Sequence, residues 1–263
     1  MLATTYTSAL YMLVVAVASA AVAYYLVKKR DNRVEPLWLV TIGLEMPDDF
    51  PSKPYNEIHQ LIQRIERDSH PHFWDNYGRA WNTLARRFLA CSESDEQFRA
   101  SLKRAGTAPQ PEERDIQEKV LFHFFCDGFS AIECLCYALF TMGNHLRSDD
   151  FPMQTPEQLK NIYPHTTRQT YEKAFRGEPI TRRLTSLCVS TEFVQWKEIR
   201  NVLSHRGQPG RLFFAGDNPE HDAIWHVWNI PIDEKITTTR REWLSDTLRD
   251  LLVDTHKFVS AHF

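Results

Sequence analysis

The chain has 263 residues, 43% of them hydrophobic, with 31 Lys+Arg against 34 Asp+Glu and a formal net charge of −3. That length buries a core without disulfide or metal staples, and the aromatic and aliphatic content excludes disorder and collagen. Only 9 Gly occur and no Gly-rich phosphate loop or nucleophile elbow is spelled, while 5 Cys, four of them in apolar helical patterns, fit reduced buried thiols better than a secreted disulfide framework.

Residues 9–27 read ALYMLVVAVASAAVAYYLV, a run without charge. As a helix it reaches roughly 28 Å, enough to cross the hydrocarbon core of a bilayer. A buried core helix and a cleaved signal peptide are the competing readings, the second encouraged by the triplets Ala18-Ser19-Ala20 and Ala21-Val22-Ala23. A signal peptide carries its positive charge ahead of the apolar run, whereas here Lys28, Lys29, Arg30 and Arg33 follow it. The expectation is therefore a single transmembrane anchor within residues 1–30, with the N-terminus outside and the C-terminal domain in the cytoplasm. Residues 31–54, with Pro36, Pro51 and Pro54, read as a juxtamembrane connector.

Beyond the connector the patterning is helical. Ile58, Leu61, Ile62 and Ile65 predict a helix over 55–67, and Trp74, Tyr77, Trp81, Leu84 and Phe88 predict another over 73–89. A polar stretch over 92–113, containing Gly106, Pro109 and Pro111, predicts a break and sets a helical N-terminal subdomain, 55–106, apart from a second domain, 107–263. Residues 113–146 carry two adjacent apolar stripes, as a central core helix would. Short helices are predicted over 168–175 and 181–189, then one capped by Ser190 or Thr191 that runs to about Ser204 and stops before Gly207. Residues 211–215 and 223–230 alternate as a small β-hairpin, whose Trp225 and Trp228 read as packing residues rather than a base-stacking platform. Thr239 and Glu242 spell a capping box for the last helix. The fold class expected is mainly α, a helical bundle with a small β-hairpin near 211–230.

The late helix ends in Lys197-Glu198-Ile199-Arg200-Asn201-Val202-Leu203-Ser204-His205-Arg206-Gly207. An arginine five residues before a histidine is a common spacing, and Arg67 and His72 repeat it across Pro71 in a polar turn. Arg200 differs in lying in the apolar register of Phe193, Trp196, Ile199 and Leu203, so it points toward the packed side. There a carboxylate would be its natural partner, and Glu133, set among Phe129, Ile132, Cys136 and Tyr137, needs one in turn.

In these residues the chain resembles the HEPN domains, helical bundles marked by an arginine, often followed by a polar residue, and then a histidine four to six positions on. Arg200-Asn201-x-x-x-His205 matches in spelling and place, and Glu133 stands where such proteins often carry a polar residue on the preceding core helix. The likeness extends over about residues 113–263; residues 55–106 resemble no named family. It implies metal-independent endoribonuclease activity at an Arg/His site shared by a homodimer. Arg200, Asn201 and His205 would be catalytic, and Glu133, Ser204 and Arg206 supporting. It further implies a toxin or antiviral defence effector held in check by a regulatory or antitoxin partner.

The chemistry suits the residue types. A neutral histidine can take a proton from a ribose 2′-hydroxyl, a second can protonate the leaving oxygen, and a forked arginine can hold the phosphate. Residues five apart leave a helix about 140° from each other, so one helix serves this poorly and two copies serve it better. The alternatives are a non-catalytic HEPN-like module binding nucleotide, RNA or protein, and a membrane scaffold. Neither His70-Pro71-His72 nor Cys134-x-Cys136 has a second pair at zinc spacing, so no metal or cofactor is expected. Between Lys160 and Arg211 ten Lys+Arg face four Glu, a balance of +6 in an acidic chain, as suits RNA binding.

Overall fold

A computed structural model of the chain describes residues 43–67, 69–205, 207, 210–212, 224–227 and 230–263. The expected membrane span at 9–27 and residues 31–42 of the connector lie outside them. Among the described residues the fold is mainly α, with eight helices and a three-stranded antiparallel sheet, and these residues belong to one compact unit.

The first helix, α1 (Ser52–Ile62), buries Tyr55, Ile58, His59 and Ile62. The second, α2 (Pro71–Ala105), opens with proline in its first turn, where a missing N–H costs nothing, and stops at Gly106, whose φ of +66° favours glycine. The break predicted after Leu89 does not occur. Ser92, Asp95, Phe98 and Leu102 continue a buried stripe at helical spacing, and no Gly or Pro interrupts it before Gly106. The polar composition of 92–105 misleads because its small polar side chains are the inward ones.

A short turn leads into α3 (Pro111–Leu146), which carries Glu112 and Glu113 in its first turn, where acidic groups offset the helix dipole. Across the expected division at 106/107, α2 and α3 pack along each other within the same unit. Helix α3 is the one described helix long and apolar enough to cross a membrane, yet 72% of its apolar window is buried inside the protein. It is the central core helix, touching α2 and the later helices α5, α7 and α8.

Four shorter helices follow: α4 (Pro156–Lys160), α5 (Pro164–Ala174), α6 (Pro179–Val189) and α7 (Thr191–His205). Helix α5 is fixed to α3 by Tyr171, a fully buried side chain whose hydroxyl donates to Leu139 O at 2.7 Å. Helix α7 starts as expected at Ser190, whose Oγ accepts from Phe193 N at 3.3 Å.

The sheet comprises β1 (Gly210–Leu212), β2 (Ile224–Val227) and β3 (Ile230–Pro231), in the order β1-β2-β3. Arg211 pairs with Trp225 in register, and the guanidinium lies 3.5 Å from the Trp225 ring centre. Arg211 also donates to Thr107 O and Gln117 Oε1, which pins the sheet to the α2–α3 turn. Trp225 is buried, as a packing residue should be; Trp228 lies outside the described residues.

The last helix, α8 (Glu234–His262), begins five residues before the predicted capping box. Asp233 is its N-cap, accepting from Lys235 N and Ile236 N, so Thr239 and Glu242 lie inside the helix. Helix α8 packs on α1, α2, α3 and α6. Its Arg241 grips Asp49 through two hydrogen bonds of 2.8 and 2.9 Å and reaches the buried Asp95 at 3.3 Å. The segment before α1 is thereby fastened to the bundle.

Candidate functional site

The site forms where α7 lies on α3. Phe193, Trp196 and Ile199, spaced at three residues, give α7 its buried face. Trp196 is fully buried, stacks on Phe124 with ring centres 5.4 Å apart, and donates its indole N–H to Phe125 O at 2.9 Å. Gly128 allows this close approach: a Cβ there would meet Trp196 Cη2 at 3.0 Å and Cys91 Sγ at 3.1 Å.

One turn beyond Trp196 on α7, Arg200 turns back toward α3. Its Nη2 donates to Glu133 Oε1 at 3.3 Å, and its guanidinium carbon sits 4.6 Å from the Phe129 ring centre. Phe129 in turn stacks on Phe193 at 5.5 Å. Phe129 and Glu133, four apart on α3, thus supply a π-face and a carboxylate to one cation. The Arg200 and Glu133 side chains keep 25% and 38% of their surface exposed. The pair is half-open to solvent, so Arg200 keeps donors for an incoming anion.

Burial raises the pKa of the Glu133 carboxyl, with the Arg200 charge opposing but not cancelling the effect. The Cys126 thiol beside the site is raised by burial too, while the Ser204 hydrogen bond and the nearby Arg200 pull it down. Ser204 Oγ and Cys126 Sγ are 3.6 Å apart. Ser204 therefore joins α7 to α3 one turn past Arg200.

The other members of the motif are not drawn together with these. His205 is exposed at the last position of α7, and Asn201 is half-buried. Among the described residues neither side chain has a hydrogen-bond partner. Gly207, with φ +126°, follows the helix and donates its N–H to Val202 O at 3.1 Å. Arg206 lies outside the described residues.

Sequence reasoning missed two parts of this surface. Phe129, the platform under Arg200, is signalled only by its i,i+4 relation to Glu133. Arg87 on α2 forms an ion pair with the nearly buried Asp127 of α3, and no sequence pattern links residues forty apart on two helices. Among the described residues no group of three or more His, Cys, Asp or Glu side chains is disposed to hold a metal.

A second depression, 770 Å³ in volume, lies near Asp49, Glu93, Asp95, Glu96, Arg241 and Glu242. Its excess of carboxylates disfavours a phosphate backbone. In comparisons with known proteins, no family model, no curated protein and no solved structure matches the chain.

Proposed function

We propose that the chain is a membrane-anchored HEPN-like endoribonuclease that cleaves RNA without a metal, at a site completed by two copies. The observation that carries this reading is Arg200, held by Glu133 and Phe129 yet open to solvent at the end of a helix that also presents His205. In the proposed reaction a histidine takes the 2′-hydroxyl proton, the 2′-oxygen attacks the phosphorus, and the partner's histidine protonates the departing 5′-oxygen. Arg200 holds the phosphate as charge builds on its free oxygens, and Asn201 orients it. A second copy is needed because Arg200 and His205 leave α7 about 140° apart.

The test uses the full chain in detergent micelles with a labelled RNA. Wild type should cleave in excess EDTA and leave 2′,3′-cyclic phosphate ends, whereas His205→Ala and Arg200→Ala should keep the wild-type circular dichroism spectrum and lose cleavage. Undiminished cleavage by His205→Ala, or activity lost to chelator and restored by magnesium, rules the mechanism out. The anchor reading rests on the uncharged run at 9–27 with Lys28, Lys29 and Arg30 behind it. It requires the chain to stay with membranes in carbonate, and a released protein refutes it. An effector role under an antitoxin-like partner follows from the same reading. Expression of wild type should then arrest growth and His205→Ala should not; equal growth of the two refutes it.

One observation favours a second reading, a binding module. Among the described residues nothing orients His205, whereas a general base is normally held by another group. In that case His205→Ala weakens RNA binding and no product forms with any variant.

A further inference from the structure

A groove of 620 Å³ runs between α2 and α3 and is bordered by the same Glu133 that holds Arg200. Its walls are two helical stripes. Arg79, Thr83 and Arg87 recur every four residues on α2, and Ser130, Glu133 or Cys134, and Tyr137 recur every three or four on α3. The α2 stripe spans about 12 Å by helical rise. Leu159 and Ile162 from the segment around α4 line it too, as does Asn76.

The two ends differ in chemistry. At the Arg87 end, the arginine spends one contact on Asp127 and keeps half its side chain exposed. Arg87 and Arg200 both act electrostatically on the Cys126 thiol, so this end adjoins the Arg200 site. Ser130 and Thr83 contribute hydroxyls that have no hydrogen-bond partner among the described residues. At the other end Tyr137 lines the groove without any ring contact among the described residues, its hydroxyl fixed by donating to Asn76 Oδ1 at 2.9 Å. Among the described residues Arg79 there pairs only with the exposed Asp75, across one turn of α2.

An aromatic end rimmed by Asn76 and Arg79, with Leu159 and Ile162 in the same lining, and a second end with Arg87 and free hydroxyls match a ligand that carries a flat ring and an anionic group. We propose that this groove binds one ribonucleotide unit, its base against Tyr137, Leu159 and Ile162 and its phosphate toward Arg87 and Ser130. As part of a cleavage site it rests on the reading given above, and it would hold the nucleotide next to the scissile phosphate. The binding itself does not depend on that reading. Arg79, Thr83 and Tyr137 are positioning residues here.

The experiment is calorimetric titration of the full chain in detergent with AMP, UMP, the matching nucleosides and inorganic phosphate. A mononucleotide should bind more tightly than either its nucleoside or phosphate alone. Thr83→Trp, which fills the groove, and Arg79→Ala, which removes only a surface pair and so preserves folding, should each weaken it by about tenfold. If no mononucleotide binds, or Arg79→Ala and Thr83→Trp bind as wild type does, the groove is not a nucleotide site, whatever the cleavage assay gives. If binding behaves as expected while wild type cleaves no RNA, the nuclease reading falls and the groove stands.

Discussion

Replacing Gly128 by alanine tests the seating of α7 on α3. On helix propensity alone the change should stabilise, because glycine inside a helix costs about 0.5–1 kcal/mol relative to alanine. Packing predicts the reverse. A Cβ at this position meets Trp196 Cη2 at 3.0 Å and Cys91 Sγ at 3.1 Å, and a closer indole carbon lies inside its van der Waals envelope. Ordinary carbon contacts are ~3.5–4.0 Å and Trp196 Cζ2 lies far inside that range, so the indole must retreat by more than ~1 Å. It has nowhere to go, being wedged against Phe124, Phe125 and Trp243 and tied to Phe125 O. Overpacking costs ~1–3 kcal/mol and the strained indole hydrogen bond about 1 kcal/mol more, which outweighs the propensity gain. The net expectation is a loss of about 2–3 kcal/mol. Urea unfolding followed by tryptophan fluorescence measures it, and Trp196→Phe in the same background should recover part of the loss by making room. A Gly128→Ala protein as stable as wild type, or more so, would refute the close-approach argument.

Arg241→Ala should cost about 3 kcal/mol in the same unfolding assay, because it strands the buried Asp95 carboxylate and frees Asp49; a change within ~0.5 kcal/mol, as for a surface pair, would show that Arg99, whose Nε lies 3.4 Å from Asp95 Oδ1, suffices. Arg200→Ala should cost only about 1 kcal/mol of stability, since Glu133 remains partly exposed and can hydrate once unpaired; the larger penalty of a fully buried pair would mean a drier site. Glu133→Gln carries a pH signature. The folded carboxyl has a raised pKa, so the native state binds the proton more tightly than the unfolded state, and wild type loses stability as pH rises through that range. Thermal melts should show Glu133→Gln more stable than wild type at neutral pH, with the gap closing as pH falls below the ordinary glutamate range; a gap that widens toward low pH contradicts the sign.

The elements easiest to read in the sequence were those whose pattern is local. The double stripe of α3, the start of α7 at Ser190 and the antiparallel pairing of strands near 211 and 225 follow from periodicity, capping chemistry and alternation over a few residues. What failed depended on distant partners. Ser92, Asp95 and Ser101 look like surface in isolation; they are buried because Asp95 meets Arg241 from α8, and Ser101 donates to Glu113 of α3. The capping box at Thr239 lost to Asp233 because 234–238 already carry helix-compatible residues that the true cap can engage. At the site, the Arg200–Glu133 pair was legible because each residue is an ionic misfit in its own apolar stripe. The α2 side of the groove was not, since only the alignment of two long helices brings Arg79 and Arg87 opposite Tyr137 and Ser130.

The contact between α1 and α8 has a consequence for synthesis. Helix α1 ends at Ile62 and α8 starts only at Glu234, so the apolar side of one waits for a partner made much later in synthesis. At ~5–20 residues per second that delay is roughly 10–35 s. The α2–α3 hairpin, built from neighbouring segments, can close long before then. Through that interval the middle of the bundle is already ordered while its first helix still lacks one wall, and the bundle closes only when the 29-residue α8 arrives.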